Sequence, residues 1–336
     1  MARRRIPLLG SVRRRLGGTP GSLPLDMFDL DRNATEARAA AKLQKLYHQG
    51  QRRAWDGRAV LDELVTKHGG VQLDPAKSEA IRTIFAVILW GELAAWKVSA
   101  ALAEALEPLE AKMAATAQVH DEARHFYVMR DYLEELGEVP RTLGPATQRV
   151  LGGTLNANTL VKKLLGMQLM VEPMALTLFH IVRRRKLEPV LAELLVYYEQ
   201  DEARHVALGV LHLPDMLKGL SKREAADLYL WQIREYFAQF AMVRELEPAF
   251  RALDIHPREI VELGRQKQML AMQMLAEEIG VDMPVVDVFR RLTDFRTELD
   301  FPEDDAPSDF RTRLRSGIRA AMDSEAVDGV LSEVAS

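Results

Sequence analysis

Residues able to hold a metal recur in this chain at a fixed spacing. The pentapeptide Asp-Glu-Ala-Arg-His occurs at 121–125 and again at 201–205. Each copy carries a Glu and a His three residues apart, Glu122 with His125 and Glu202 with His205. On an α-helix that spacing puts both side chains on one face, a turn apart. A further carboxylate stands 30 residues before each Glu: Glu92 before Glu122, and Glu172 before Glu202. The two triplets are therefore offset by 80 residues. A lone Glu-x-x-His more often marks a solvated helix face. With eight His in the chain one or two such pairs would arise by chance, but not an identical repeat with a matched upstream carboxylate. Four carboxylates and two imidazoles suit iron or manganese, and soft-metal ligands are lacking.

Helical hairpins would bring these residues together. Leu106-Glu107-Pro108 lies midway between Glu92 and Glu122, and Leu187-Glu188-Pro189 midway between Glu172 and Glu202. Proline suits the first turn of a new helix. Each half then reads as one helix up, a tight turn, and one helix back. About 15 residues per arm at ~1.5 Å each return the second helix to the level of the first carboxylate. The stretches 84–103 and 164–182 are almost wholly apolar around Glu92 and Glu172. Their length would suit membrane spans, but a central Glu in each fits buried metal-binding helices better, so no transmembrane segment is expected. The return helices, 109–136 and 190–212, are amphipathic and carry the repeated motifs. Gly137 and Pro140 end the first of them, and 138–157 reads as a long crossover connection.

The chain has 336 residues, 48% of them hydrophobic, enough for a sizeable core. Net charge is −4, which gives no reason to expect nucleic acid, and there is no Cys, which excludes disulfides and Cys-ligated clusters. A reducing, cytoplasmic setting fits that usage. Residues 1–32 read as a flexible basic arm, with six Arg in two clusters within 1–24. Residues 33–68 look helical, with Ala39, Leu43, Leu46 and Tyr47 on one stripe, closed by His68-Gly69-Gly70. The expected core unit spans 33–250 and a helical extension spans 251–336, with helices near 221–250, 257–279, 284–297 and 309–322. No Gly-rich phosphate loop, dinucleotide fingerprint or Ser/His/Asp arrangement stands out.

The two Asp-Glu-x-Arg-His motifs, each preceded by a Glu at 30 residues, resemble the ferritin-like di-iron oxidase and oxygenase superfamily. The wording is similar to that of bacterial multicomponent monooxygenase hydroxylases and of acyl carrier protein desaturases. The resemblance covers roughly 80–212. It implies an all-α, ferritin-like four-helix bundle with additional N- and C-terminal helices. It also implies two Fe ions, with Mn possible at one or both sites, held by Glu92, Glu122, His125, Glu172, Glu202 and His205, with Glu122 and Glu202 bridging. Asp121 and Asp201 would each hold the ligand His of the opposite motif, with Arg124 and Arg204 paired to them.

The chain departs from that pattern in places. Those oxygenases carry a Thr three or four residues after the third Glu, where Ala175 and Leu176 stand here; Thr177 follows, and Pro173 should distort the helix. The chain is also shorter than a monooxygenase α-subunit. Ile88, Phe126, Leu169 and Leu176 lie about one turn from ligands and are the expected lining of an apolar substrate pocket, while Gln168 and Tyr198 are buried polar groups or participants. The expected activity is O2-dependent hydroxylation or desaturation of an apolar organic molecule, in a homodimer supplied with electrons by an external reductase. Two alternatives remain: a ferroxidase or iron-handling protein, and a radical-generating protein like a ribonucleotide reductase small subunit. The latter usually has Asp where Glu92 stands and a radical Tyr where Met129 stands.

Overall fold

The computed structural model describes residues 40–279, 284–303 and 309–323, so Ala39 and the basic arm at 1–32 lie outside it. The described residues form helices and connections without strands. In chain order the helices are α1 (Ala41–Arg53), α2 (Gly57–His68), α3 (Pro75–Ala105), α4 (Leu109–Leu136), α5 (Pro145–Leu155) and α6 (Leu160–Gly166). A π-helical turn, Met167–Val171, joins α6 to α7 (Glu172–Arg185). Then follow α8 (Pro189–Lys218), α9 (Lys222–Glu245), α10 (Glu247–Ala252), α11 (Pro257–Ile279), α12 (Pro284–Asp300) and α13 (Phe310–Asp323).

The architecture is an all-α, ferritin-like four-helix bundle with added helices at both ends. α3 packs on α4, α4 on α8, α8 on α7, and α6 closes the ring against α3. The first hairpin turns at Leu106–Pro108 and the second at Lys186–Glu188, as the midpoint positions predict. Pro189 is the first residue of its helix, whereas Pro108 caps α4 from outside. Asp74 opens α3 by accepting the Lys77 N–H at 3.0 Å, and left-handed Gly69 (φ 71°) closes α2. α3 and the run 160–185 are long and apolar enough to cross a membrane by composition, yet their most apolar windows are 61% and 72% buried inside the protein. They are inner helices of the bundle.

Several elements differ from the sequence reading. The stretch 33–68 is not one helix: α1 ends at Arg53, and Asp56 starts α2 by accepting the Ala59 N–H. The intervening segment carries Trp55 towards the centre of the molecule. The crossover 138–157 is not plain connection either, because it contains α5. Glu245 at the end of α9 caps α5 from a distance, accepting the N–H groups of Ala146 and Thr147 and the Thr147 hydroxyl. Finally, α8 runs through Pro214 to Lys218 rather than ending near 212.

Close approach of α2 to α4 depends on Gly57. A Cβ there would lie 2.1 Å from Val128 Cγ2 and 3.2 Å from Arg124 Cγ. Gly57→Ala should therefore destabilise the fold by about 1–3 kcal/mol through overpacking. Urea unfolding checks this, and an unchanged midpoint would show that α2 has slack.

Candidate metal centre

All six sequence-predicted ligands meet in the middle of the bundle, one pair or single residue from each helix. Glu92 comes from α3, Glu122 and His125 from α4, Glu172 from the start of α7, and Glu202 and His205 from α8. All are buried. They form two groups, each with potential ligand atoms within 4.8 Å of one another: Glu92, Glu122, His125 and Glu202, and then Glu122, Glu172, Glu202 and His205. Glu122 and Glu202 belong to both, the placement a bridging carboxylate requires.

Each imidazole turns Nδ1 inward. His125 Nδ1 lies 3.4 Å from Glu92, 3.6 Å from Glu122 and 3.3 Å from Glu202. His205 Nδ1 lies 2.7 Å from Glu202, 3.3 Å from Glu122 and 3.7 Å from Glu172. Each Nε2 turns outward to an aspartate of the other motif. His125 Nε2 is 3.1 Å from Asp201, and His205 Nε2 is 3.4 Å from Asp121. Arg124 donates to Asp121 at 2.6 Å and to Asp201 at 2.7 Å, while Arg204 donates to Asp121 at 2.9 Å and to Asp201 at 2.7 Å. The aspartates and arginines thus form a closed, crossed ring of balanced charge. A carboxylate at Nε2 places the ring proton there and leaves Nδ1 free to ligate.

The donors fit two metal ions. Among the described residues, buried Glu122 Oε2 and His125 Nδ1 have no hydrogen-bond partner, and both face the first group. Four Glu carry the charge that two divalent ions neutralise. Without metal, protons must take that part, and the shifts show where. Burial and the nearby Glu202 and Glu122 push Glu172 well up. Burial likewise raises Glu92 against the pull of His125. Burial would lower His205, but the charges of Glu122 and Glu202 outweigh it and lift the imidazole from 6.5 to about 10. His125 is raised too, its burial overcome by the Asp201 carboxylate, which accepts from Nε2, and by the adjoining Glu122, Glu202 and Glu92 carboxylates. Asp201 goes the other way: hydrogen bonding and charge from His125 overcome its burial and hold it far below the usual carboxylate range.

Two contributors, Trp55 and Gln118, were not picked out from the sequence. Trp55, from the α1–α2 connection, donates Nε1–H to Asp201 at 2.9 Å, and Arg124 stacks over its ring at 4.8 Å. Gln118, one turn before Glu122, donates to Glu122 at 2.8 Å and to Glu172 at 3.0 Å. Gln168 donates in turn to Gln118 at 2.8 Å. The i−4 position of Gln118 on an already assigned helix was the available signal for it; a Trp in a predicted helix offered none. Tyr198 donates to the His125 carbonyl at 2.6 Å and stacks on the His125 ring at 4.2 Å. The distortion expected near Pro173 appears as the π-turn just before Glu172. It does not bring Thr177 into the carboxylate–imidazole cluster, because its hydroxyl donates to the Pro173 carbonyl at 2.7 Å and faces Gly264 on α11.

An apolar cavity of about 50 Å³ adjoins the centre. Glu92 and Glu172 form its polar end, and Ile88, Val150, Leu151, Met174, Leu178 and Met242 are among its walls. Of the four expected lining residues only Ile88 is there. Leu169 lies in the π-turn and packs at Gly209 of α8, and Phe126 meets Tyr127 edge-on at the exposed side of α4. Leu176 is half-buried and outside the lining, which takes Met174, Ala175 and Leu178 from the same helix instead.

No family model matches the sequence, and no curated protein matches it. Among solved structures the chain is similar to variants of an R2-like ligand-binding oxidase with an aerobically reconstituted Mn/Fe cofactor. A valine-to-leucine variant shares 18% identity over 71% of this chain and 90% of the other, with a TM-score of 0.44. A tyrosine-to-phenylalanine variant shares 17% identity over 71% of this chain and 93% of the other, also at 0.44.

Two outcomes follow from the protonation pattern. The extra stability that protonated His205 gives the metal-free protein is fully present below 6.5 and is lost as pH rises through about 10. The thermal midpoint of metal-free protein should fall across that window, and a flat profile would contradict the pairing. Metal must displace protons from Glu92, Glu172, His125 and His205, so uptake near neutral pH should release several protons per chain. Calorimetry in buffers of different ionisation enthalpy measures that number, and zero would contradict it.

Proposed function

We propose that the chain is an O2-dependent dinuclear metal oxidase or monooxygenase that hydroxylates or desaturates an apolar organic molecule. The observation that carries the reading is the pairing of two ligand groups sharing Glu122 and Glu202 with an apolar cavity ending on Glu92 and Glu172. Two iron or manganese ions, held by Glu92, Glu122, His125, Glu172, Glu202 and His205, would supply the redox chemistry that activates dioxygen. Asp121 and Asp201 hold the two imidazoles in the ligating tautomer. Arg124 and Arg204 pair with those aspartates and hold them in place. The cavity walls keep water from the reacting face and receive the C–H bond of the substrate. Met174 and Met242 are unbranched and adaptable, so the cavity can widen for a larger molecule than it holds at rest.

The chain has no Cys, so an external electron donor protein returns the metals to their reduced state. The active form is a cytoplasmic homodimer. An iron-handling role is the second reading, since it needs the same six ligands; the apolar cavity beside them favours the oxidase.

Wild-type protein should bind two iron or manganese ions per chain, with His125→Ala and His205→Ala each losing occupancy; full loading of both variants would sink the ligand assignment. Replacing Asp201 by Asn should weaken metal binding or turnover by about 10–100-fold with the fold retained, and wild-type values in both respects would leave Asp201 without a role at the imidazole. Ile88→Ala should change the product pattern of substrate oxidation while Leu176→Ala does not. Mass spectrometry of products after anaerobic reduction and O2 exposure reads this, and equal effects of the two variants would remove the cavity from the reaction. Tens of iron atoms per chain without substrate oxidation would replace the oxidase reading by iron storage.

A further inference from the structure

The ligands and their charged partners obey the 80-residue repeat, but the positions one turn before each Glu do not. Ile88, four residues before Glu92, has Gln168 as its counterpart before Glu172. Gln118, before Glu122, has Tyr198 as its counterpart before Glu202. Folding gathers the unlike residues on opposite sides. Gln118 and Gln168 meet beside Glu172 and the His205 group, while Ile88 and Tyr198 flank Glu92 and the His125 group.

We propose that Gln118, oriented by Gln168, is a positioning residue that preforms the metal position at His205 and makes the two positions unequal. This rests on the dinuclear reading above. Gln118 is 1% exposed and Gln168 fully buried. One Gln118 nitrogen donates to Glu122 and Glu172 together, fixing a shared ligand relative to a terminal one. Its carbonyl accepts the Gln168 amide, so the side chain cannot turn over. A flipped amide would set its oxygen against the Glu122 carboxylate and its N–H₂ against that of Gln168. Gln168 is itself wedged against α8, where a Cβ at Gly209 would come within 2.6 Å of Gln168 Cβ. At the other position Tyr198 spends its hydroxyl on a backbone carbonyl and Ile88 has no polar atom, so Glu92 and Glu122 receive no matching amide there. An ion at the His205 position would meet carboxylates held by a side-chain amide, whereas at the His125 position Glu92 would have only the imidazole, 3.4 Å away, beside it.

Anaerobic Mn(II) titration by calorimetry of the full chain tests this in two backgrounds. His125→Ala leaves the His205 position, and His205→Ala leaves the other. Gln118→Leu should weaken Mn(II) binding by about 10–100-fold in the His125→Ala protein, with a smaller loss in the His205→Ala protein, whose ligands include Glu122 but not Glu172. Gln168→Leu should act in the same direction and in the same background, though less strongly. A general loss of stability would lower both backgrounds alike, so equal losses overturn the inference, as does no loss in the His125→Ala protein. If Gln118→Leu fails to melt cooperatively, the Gln168→Leu pair decides by the same criterion. Wild-type protein that takes up no Mn(II) or Fe(II) overturns the metal centre itself and this inference with it.

Discussion

Four carboxylates converge where the bundle is driest, and their mutual repulsion governs what surrounds them. Moving ionised carboxylates from water into an apolar core is prohibitive unless the charge is met locally. The outer ring cannot meet it, because Asp121 and Asp201 already balance Arg124 and Arg204. The inner charge is left to protons or to metal. Burial and like charge drive protons onto Glu92 and Glu172, while the same field draws them onto His125 and His205. The core therefore tolerates the cluster in a protonated form, and a metal enters by exchange rather than by filling a vacuum of charge.

Rigid helices make that exchange a matter of fixed positions. The long hairpins hold the ligands at one level, Gly57 and Gly209 let neighbouring helices close in, and α5 with α9 seals the apolar side. The site has two faces as a result. Towards α1 and α2 it is polar, with Trp55 and the crossed aspartates; towards α5 and α9 it is apolar, with Ile88, Leu151 and Met242.

The convergence of the six candidate ligands was legible because five of them sit inside regular helices and Glu172 opens one, and there residue spacing converts directly into geometry. The same rule did not reach the pocket lining, where one expected residue falls in irregular backbone and two on helix faces that the cavity does not touch. The π-turn at Met167–Val171 breaks the phase on which Leu169 was assigned to the pocket, and Phe126 lies on a helix that does not border the cavity. Leu176 is on a regular helix, but the cavity lies on the face of Met174, Ala175 and Leu178, a choice that depends on where α5 and α9 pack. α5 itself was hidden by Gly and Thr that read as loop, its first turn being satisfied by Glu245 from about 100 residues away. Trp55 became part of the centre only because α1 and α2 break apart around it. Long-range packing of this kind leaves no period in the sequence.

The crossed ring has a consequence for how the halves depend on each other. His125 from the first hairpin is oriented by Asp201 of the second, and His205 of the second by Asp121 of the first. Neither hairpin can orient its own imidazole, and neither ligand group is complete without carboxylates from both. The cluster is thus an interlock between two hairpins, and an ion held by it would act as a rivet through their seam. Withdrawing that rivet would loosen the seam while leaving each hairpin its own helix-to-helix packing.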